Sequence, residues 1–352
     1  MRVQLVACAV LSCASIVVTL PNGDVQAQDL NGPLVLAKQG SFFVNQENVE
    51  TDFATLTGAP TSGRISVHGM YVQYQIPAAR DPRAYPVIMV HGSAHTGKTF
   101  EETPDGRMGW AEYFIRHGIP VYVVDQAGRA RSGFDPTPNN RAKVEGDSGL
   151  LPVLAQFTHE QAWVNFRIGP APFTPYAESR FPVAAQGQYF AQMVPNTETT
   201  YPEGGDSTSR ALAALLDRVG PAIVMVHSQA GAYGLAAAIA RPELVKAVVS
   251  VEPRSCAVSG DDVARVFTHV KLLTMFGDFF GTNVAGWPSI RTECETTVAR
   301  INAAQGLAEH IDLPERGIHG NSHMMMMDLN NLQLADIILA WLADNVPAAN
   351  AH

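Results

Sequence analysis

The sequence predicts an α/β protein, with a mostly parallel sheet, helices on both of its faces and a helical segment inserted between strands. Three observations carry this prediction. From Pro86 onward, short continuous apolar runs alternate with helical stretches, as expected of strands buried on both faces of a parallel sheet. One run, Ala222-Ile-Val-Met-Val226, stops at His227-Ser228 and passes into the alanine-rich stretch Ala232–Arg241, with Pro242 behind it. Between Arg131 and Ser207 the rhythm breaks: nothing there reads as sheet, yet aromatic residues are frequent from Phe157 to Tyr201.

Taken in order, the chain begins with a targeting segment. Arg2 precedes an apolar stretch from Val3 to Leu20, and Val25-Gln26-Ala27 supplies a small-x-small cleavage pattern. That stretch is barely long enough to span a bilayer, carries Ser12, Ser15 and Thr19, and breaks at Pro21-Asn22-Gly23. Residues 1–27 are therefore expected to be an export signal, leaving residues 28–352 in the periplasm or secreted. Arg64–Ile76 alternates well enough for an early antiparallel strand or hairpin, ended by Pro77. The buried runs are Val87–Val90, Val121–Val124, Ile223–Val226, Ala247–Val251 and Leu272–Phe276. Helices are expected near Gly109–His117, Ser209–Val219, Gly231–Ala240, Ile290–Ala304 and Asn330–Ala343. A structureless loop as long as 132–207 is improbable in a compact domain, so it reads as a helical lid over the strand C-terminal ends. The competing reading is a packing subdomain away from the site.

The 352 residues suit one large α/β domain with an insertion, or two ordinary domains. A net charge of -9 argues against nucleic acid and anionic membranes as partners. Of four cysteines, only Cys256 and Cys294 follow the export signal, and in an oxidising compartment a lone pair is most simply a disulfide.

A serine at a strand-to-helix bend stands clear of the backbone, and the helix N-terminus behind it favours negative charge. It needs a base to become a nucleophile. His323 is preferred because Gly320-Asn-Ser-His323 is a polar turn ahead of the last helix and follows Ser228 in the chain; His319 competes. The orienting acid has two strand-end candidates, Glu252 after Val248–Val251 and Asp278 after Leu273–Gly277, and spacing favours neither. Two backbone amides must meet the oxyanion. One is expected from Gln229, the other from the turn after Val90, at Ser93 or next at Ala94.

The same turn also fits a nucleotide phosphate loop, Gly92-Ser-Ala-His-Thr-Gly-Lys-Thr99, with Val121–Asp125 as its metal-binding strand. That loop requires a continuous helix from the lysine. Pro104-Asp-Gly106 interrupts any such helix within two turns, so the nucleotide reading is set aside. No cofactor or metal is required, and the partners expected are a small-molecule ester and at most a second copy of the chain.

Together these residues resemble the α/β-hydrolase superfamily, and within it a branch of exported bacterial carboxylesterases with a Ser-Glu-His triad. The motifs that carry the resemblance include His91-Gly92, Glu102–Trp110, Val124–Ser132, Phe181-Pro-Val, Gln192–Pro195, His227-Ser-Gln229, Ser250–Pro253, His319–Met326 and Asn330-Asn331. They span about residues 85 to 335. The resemblance implies an α/β-hydrolase fold, Ser228 as nucleophile, His323 as base and Glu252, rather than Asp278, as acid. It also implies a Cys256–Cys294 disulfide and a serine esterase acting on a carboxylic ester or lactone through an acyl-enzyme. An acyltransferase would use the same triad, with the dryness of the lid deciding between water and alcohol acceptors. Val226 and Ala230 depart from the superfamily pattern by standing where it has glycine, and Ser93-Ala94 where relatives can carry a cysteine pair.

Overall fold

Sheet order explains where the functional residues collect. The computed structural model describes residues 28–52, 62–196, 206–281 and 284–349; the expected export signal lies outside them. The chain enters through β1 (Leu36–Val44), forms a separate ribbon from β2 (Glu47–Thr51) and β3 (Gly63–Val67), and returns as β4 (Met70–Pro77). Then come β5 (Val87–Val90), α1 (Lys98–Glu101), α2 (Trp110–Arg116) and β6 (Val121–Asp125). The insertion carries α3 (Thr137–Glu145), α4 (His159–Asn165) and α5 (Gln186–Ala191). After it the alternation resumes with α6 (Ser207–Val219), β7 (Ala222–His227), α7 (Ala230–Ala240) and β8 (Val245–Val251). A short turn, α8 (Gly260–Asp262), leads to β9 (Lys271–Phe276), α9 (Trp287–Ala303), β10 (Ala308–Asp312) and α10 (Asn331–Asn345).

The main sheet runs β1-β4-β6-β5-β7-β8-β9-β10. β4 is antiparallel to β1 and β6, and the pairings from β6 through β10 are parallel. Both faces of the central strands are covered, which is why they are apolar without interruption. In β5, Val87 and Met89 face one core while Ile88 and Val90 face the other. The first core is closed by α2, α10 and the insertion, the second by α6 and α7.

The five buried runs fall inside β5 to β9, with boundaries within two residues of those expected. The early alternating run is corrected. It is neither one strand nor a hairpin: His68, at φ 59°, turns the chain, so β3 pairs with β2 while β4 joins the main sheet. Alternation looks the same in either sheet, so the pattern could not separate them. β1 and β10, also unanticipated, are the sheet's edges, and their polar residues (Lys38 and Gln39; Glu309 and His310) hide the strand signal.

The insertion is not a flap laid over a finished domain. Its Trp163, Phe166, Ile168, Phe181 and Tyr189 are buried in the same core as Met89 and Trp110. Met324–Met327 are wholly buried there too. Among the described residues no helix is long and apolar enough to cross a membrane.

Cys256 and Cys294 form a disulfide across 38 residues of sequence, joining the segment after β8 to α9. Closing such a loop removes unfolded-state entropy worth roughly 4 kcal/mol. Cys256→Ser with Cys294→Ser is expected to lower the unfolding free energy by about that amount in urea titration; an unchanged midpoint would show the bridge to be thermodynamically idle.

Candidate active site

The bend after β7 is held in a conformation few side chains adopt. Ser228 sits at φ 55°, in the left-handed region, which costs of order 1–3 kcal/mol and persists only where surroundings enforce it. Here its N–H donates to Val251 O at 3.1 Å, and its carbonyl accepts from Gly231 N and Arg254 N at 3.0 and 2.8 Å. Glycines provide the room for this turn. A Cβ on Gly92 would lie 2.7 Å from Ser228 Cβ, and one on Gly234 2.7 Å from Val226 Cγ1. Ser228 keeps 5% of its surface exposed; Glu252 and His323 are fully buried.

Glu252, at φ 50°, leaves the end of β8 with its N–H on Met275 O. Its Oε2 meets His323 Nδ1 at 3.1 Å, while Oε1 accepts from Arg167 Nη2 at 2.5 Å and Gly277 N at 2.6 Å. An ionised carboxylate only accepts, so Nδ1 carries the imidazole proton and Nε2 is the free base. That Nε2 is buried without a hydrogen-bond partner among the described residues. The backbone of His323 is gripped at both ends, its N–H by Phe166 O at 2.9 Å and its carbonyl by His227 Nε2 at 3.0 Å. The Phe166 and Trp287 rings pack on the imidazole at 5.2 and 4.5 Å. His227 precedes the elbow serine, so the serine turn and the histidine loop are joined directly.

Burial would raise the Glu252 pKa, but the Arg167 guanidinium, with His323, holds it below the ordinary carboxylate value. Burial lowers the His323 pKa, partly offset by the hydrogen bond it donates to Glu252 and by that carboxylate's charge. Burial likewise keeps its neighbours neutral: His91 is pushed down to about 3, His95 to about 4, and His227 well below its ordinary value.

The competing residues pair with each other. His319 has 54% of its side chain exposed, and its Nδ1 lies 3.5 Å from Asp278 Oδ2, which also accepts from Gly320 N.

The turn after β5 is tied to the insertion. Ala94 N donates to Asn196 Oδ1 at 2.8 Å, and Asn196 Nδ2 lies 3.4 Å from Ser93 Oγ. Arg129, buried, donates to Gly92 O and to Gln229 Oε1, each at 2.6 Å, so one guanidinium links the Ser93 turn to the residue after Ser228. A nucleotide-type loop does not form. α1 ends at Glu101, Lys98 Nζ donates to Glu102 O, and Asp125 accepts from Gly97 N and pairs with Arg131.

Sequence reasoning missed Arg167, Arg129 and Asp328. Arg167 and Asp328 are lone charges beside apolar stretches, and Arg129 follows a glycine in a charged turn, signals that name no partner.

No protein-family model matches the chain. A bacterial esterase of known structure is 40% identical and superposes with a TM-score of 0.84, covering 89% of this chain and 98% of its own. The chain belongs to the esterases of the α/β-hydrolase fold. The esterase is also 29% identical over 333 residues to a probable secreted lipase, phiG, of Fungal sp. (strain ATCC 74256), covering 80% of this chain and 87% of the lipase. It is accordingly a carboxylic ester hydrolase.

The loop that carries His323 in this esterase is braced by a buried carboxylate. Asp328 Oδ2 accepts from Asn321 Nδ2 at 2.9 Å and Ser322 N at 2.8 Å, and Oδ1 from Ser322 Oγ at 2.8 Å. Burial raises its pKa to about 6, the hydrogen bonds from Asn321 and Ser322 offsetting part of the rise. Asp328→Asn would face an amide N–H toward these donors. Leaving a buried donor unsatisfied costs about 1–3 kcal/mol, so this variant should unfold earlier in denaturant and lose activity. Wild-type stability and rate would show that the brace is dispensable.

Proposed function

We propose that this esterase cleaves carboxylic esters through an acyl-enzyme, with Ser228 as nucleophile, His323 as base and Glu252 as the acid that orients it. The observation that carries this reading is the contact between Glu252 Oε2 and His323 Nδ1. It fixes the tautomer that leaves Nε2 able to accept a proton, on a loop bonded to the residue before Ser228. Ser228 Oγ attacks the ester carbonyl carbon while Nε2 takes its proton. The tetrahedral oxyanion is met by the amides of Gln229 and Ser93; Ala94 N is already engaged by Asn196, which favours Ser93 as the second donor. The C–O bond to the alcohol breaks, and the imidazolium returns the proton to the leaving oxygen. Water, deprotonated by the same Nε2, then releases the acid and restores Ser228.

The insertion, about 132–207, acts as a lid in this proposal, and the Phe166 and Trp287 rings beside His323 favour apolar or aromatic acyl or alcohol groups in a carboxylic ester or lactone. Export to the periplasm or medium is supported by the Cys256–Cys294 disulfide and by the relative named as secreted.

Ser228→Ala is expected to lower kcat/KM on an activated aryl ester by about ten-thousand-fold; a rate near wild type rejects the assignment. Glu252→Gln should cost far more rate than Asp278→Asn, and the reverse order would move the acid to the end of β9. Since only neutral His323 can accept the serine proton, kcat/KM should fall as pH drops through its pKa. Burial places that midpoint below the ordinary 6.5, so an acid-limb midpoint above 6.5 would contradict the assignment.

A further inference from the structure

We infer that Arg167, supplied by the insertion, is a positioning residue of the catalytic pair: it occupies Oε1 of Glu252 and so dedicates Oε2 to His323. This rests on the triad reading above. The side chain is fully buried, and its two polar contacts diverge, Nη2 to Glu252 Oε1 at 2.5 Å and Nε to Asp278 O at 2.8 Å. One planar guanidinium thus spans the ends of β8 and β9, a geometry that an ammonium cannot reproduce. Its carbon lies 4.2 Å over the Phe280 ring and 5.1 Å over the Trp287 ring, which excludes water from the pair. Arg167 itself is held at φ 53°, a strained conformation for a residue with a side chain.

The neighbouring residues act on the same two groups. Asn165 O accepts from Trp287 Nε1 at 2.9 Å, Phe166 O from His323 N at 2.9 Å, and Phe166 stacks on the imidazole. Three consecutive residues of the insertion therefore set the orientation of the base, its aromatic wall and its acid. Without Arg167, Glu252 could rotate and share both oxygens with the Gly277 amide and His323.

The guanidinium also has an electrostatic consequence. Among the described residues, the charged or titratable groups acting on His323 are Glu252 after β8, Arg167 from the insertion, Arg254 beyond Glu252, His227 at the end of β7 and His95 after β5. Burial holds His227 and His95 neutral. Asp328 acts on the pair only through Glu252. Arg167 opposes protonation of His323, so it keeps the base neutral to lower pH than Glu252 alone would allow.

The test compares wild type, Arg167→Gln and Arg167→Lys on one aryl ester across pH 4 to 9, with the thermal midpoint of each protein measured alongside. Arg167→Gln keeps a donor and loses the charge. It should lower kcat about tenfold or more with KM nearly unchanged, and move the acid limb of kcat/KM upward by about one pH unit. Arg167→Lys keeps the charge and loses the fork, so the limb should stay in place while kcat falls several-fold. A folded Gln variant with an unmoved limb, or with kcat and KM changing together, would reduce Arg167 to a structural ion pair and overturn the inference. If the Gln variant does not fold, the Lys variant decides: wild-type kcat there overturns it, and a lowered kcat at an unmoved limb supports it. Labelling of Ser228 by an aryl phosphonate is read in parallel. An unlabelled serine sinks the triad itself, whereas a labelled serine with an unmoved limb in a folded Arg167→Gln variant sinks only the role of Arg167.

Discussion

A carboxylate with no exposure to water must have its charge answered from inside the protein, and the centre of this esterase is organised by that requirement. Glu252 ends β8 with both oxygens occupied, one by Arg167 and Gly277 and the other by His323. Each partner comes from a different element: the insertion, the end of β9 and the loop before α10. Removing one member of a buried ion pair costs about 3–5 kcal/mol because the survivor is left uncompensated. The same contact that aligns the imidazole therefore also fastens the insertion to the sheet.

Around this pair buried histidines stay neutral and several polar side chains tie the loops together. His91 bridges the ends of β5 and β6, its Nε2 accepting from Gln126 N and its Nδ1 facing Gly92 O. His227 spends its one donor on the His323 carbonyl. Two more histidines beside His323, His95 and His227, would repel an imidazolium if charged; burial prevents it. Arg129 joins the Gly92 turn to Gln229, and Asn196 fixes Ala94 from the insertion side. The turn after β5 and the residue after Ser228 are thereby held in fixed positions relative to each other.

This anchoring changes how a lid should be pictured here. Residues 163–168 of the insertion are integral to the core, as the burial of Trp163, Phe166, Arg167 and Ile168 demands. Opening that segment would unstack the His323 imidazole and strip Glu252 of its cation. The parts of the insertion with exposed apolar side chains, Leu151, Val153 and Leu154, carry no such constraint.

The sequence by itself determined the central strands, the elbow at Ser228 and the short list from which the site is drawn. Strands buried on both faces must be continuously apolar, and a serine between strand and helix leaves a local trace. Local patterns also narrowed the base to two histidines four residues apart and the acid to two strand ends. The family resemblance preferred one of each, and what only the tertiary structure adds is which side chains share a buried volume. His319 turned outward to Asp278 while His323 turned inward to Glu252, and no spacing rule distinguishes those outcomes. Arg167, 85 residues before Glu252, was invisible for the same reason. Its value comes entirely from a partner brought near by folding, in an interior where a lone charge is untenable and a paired one holds the site together.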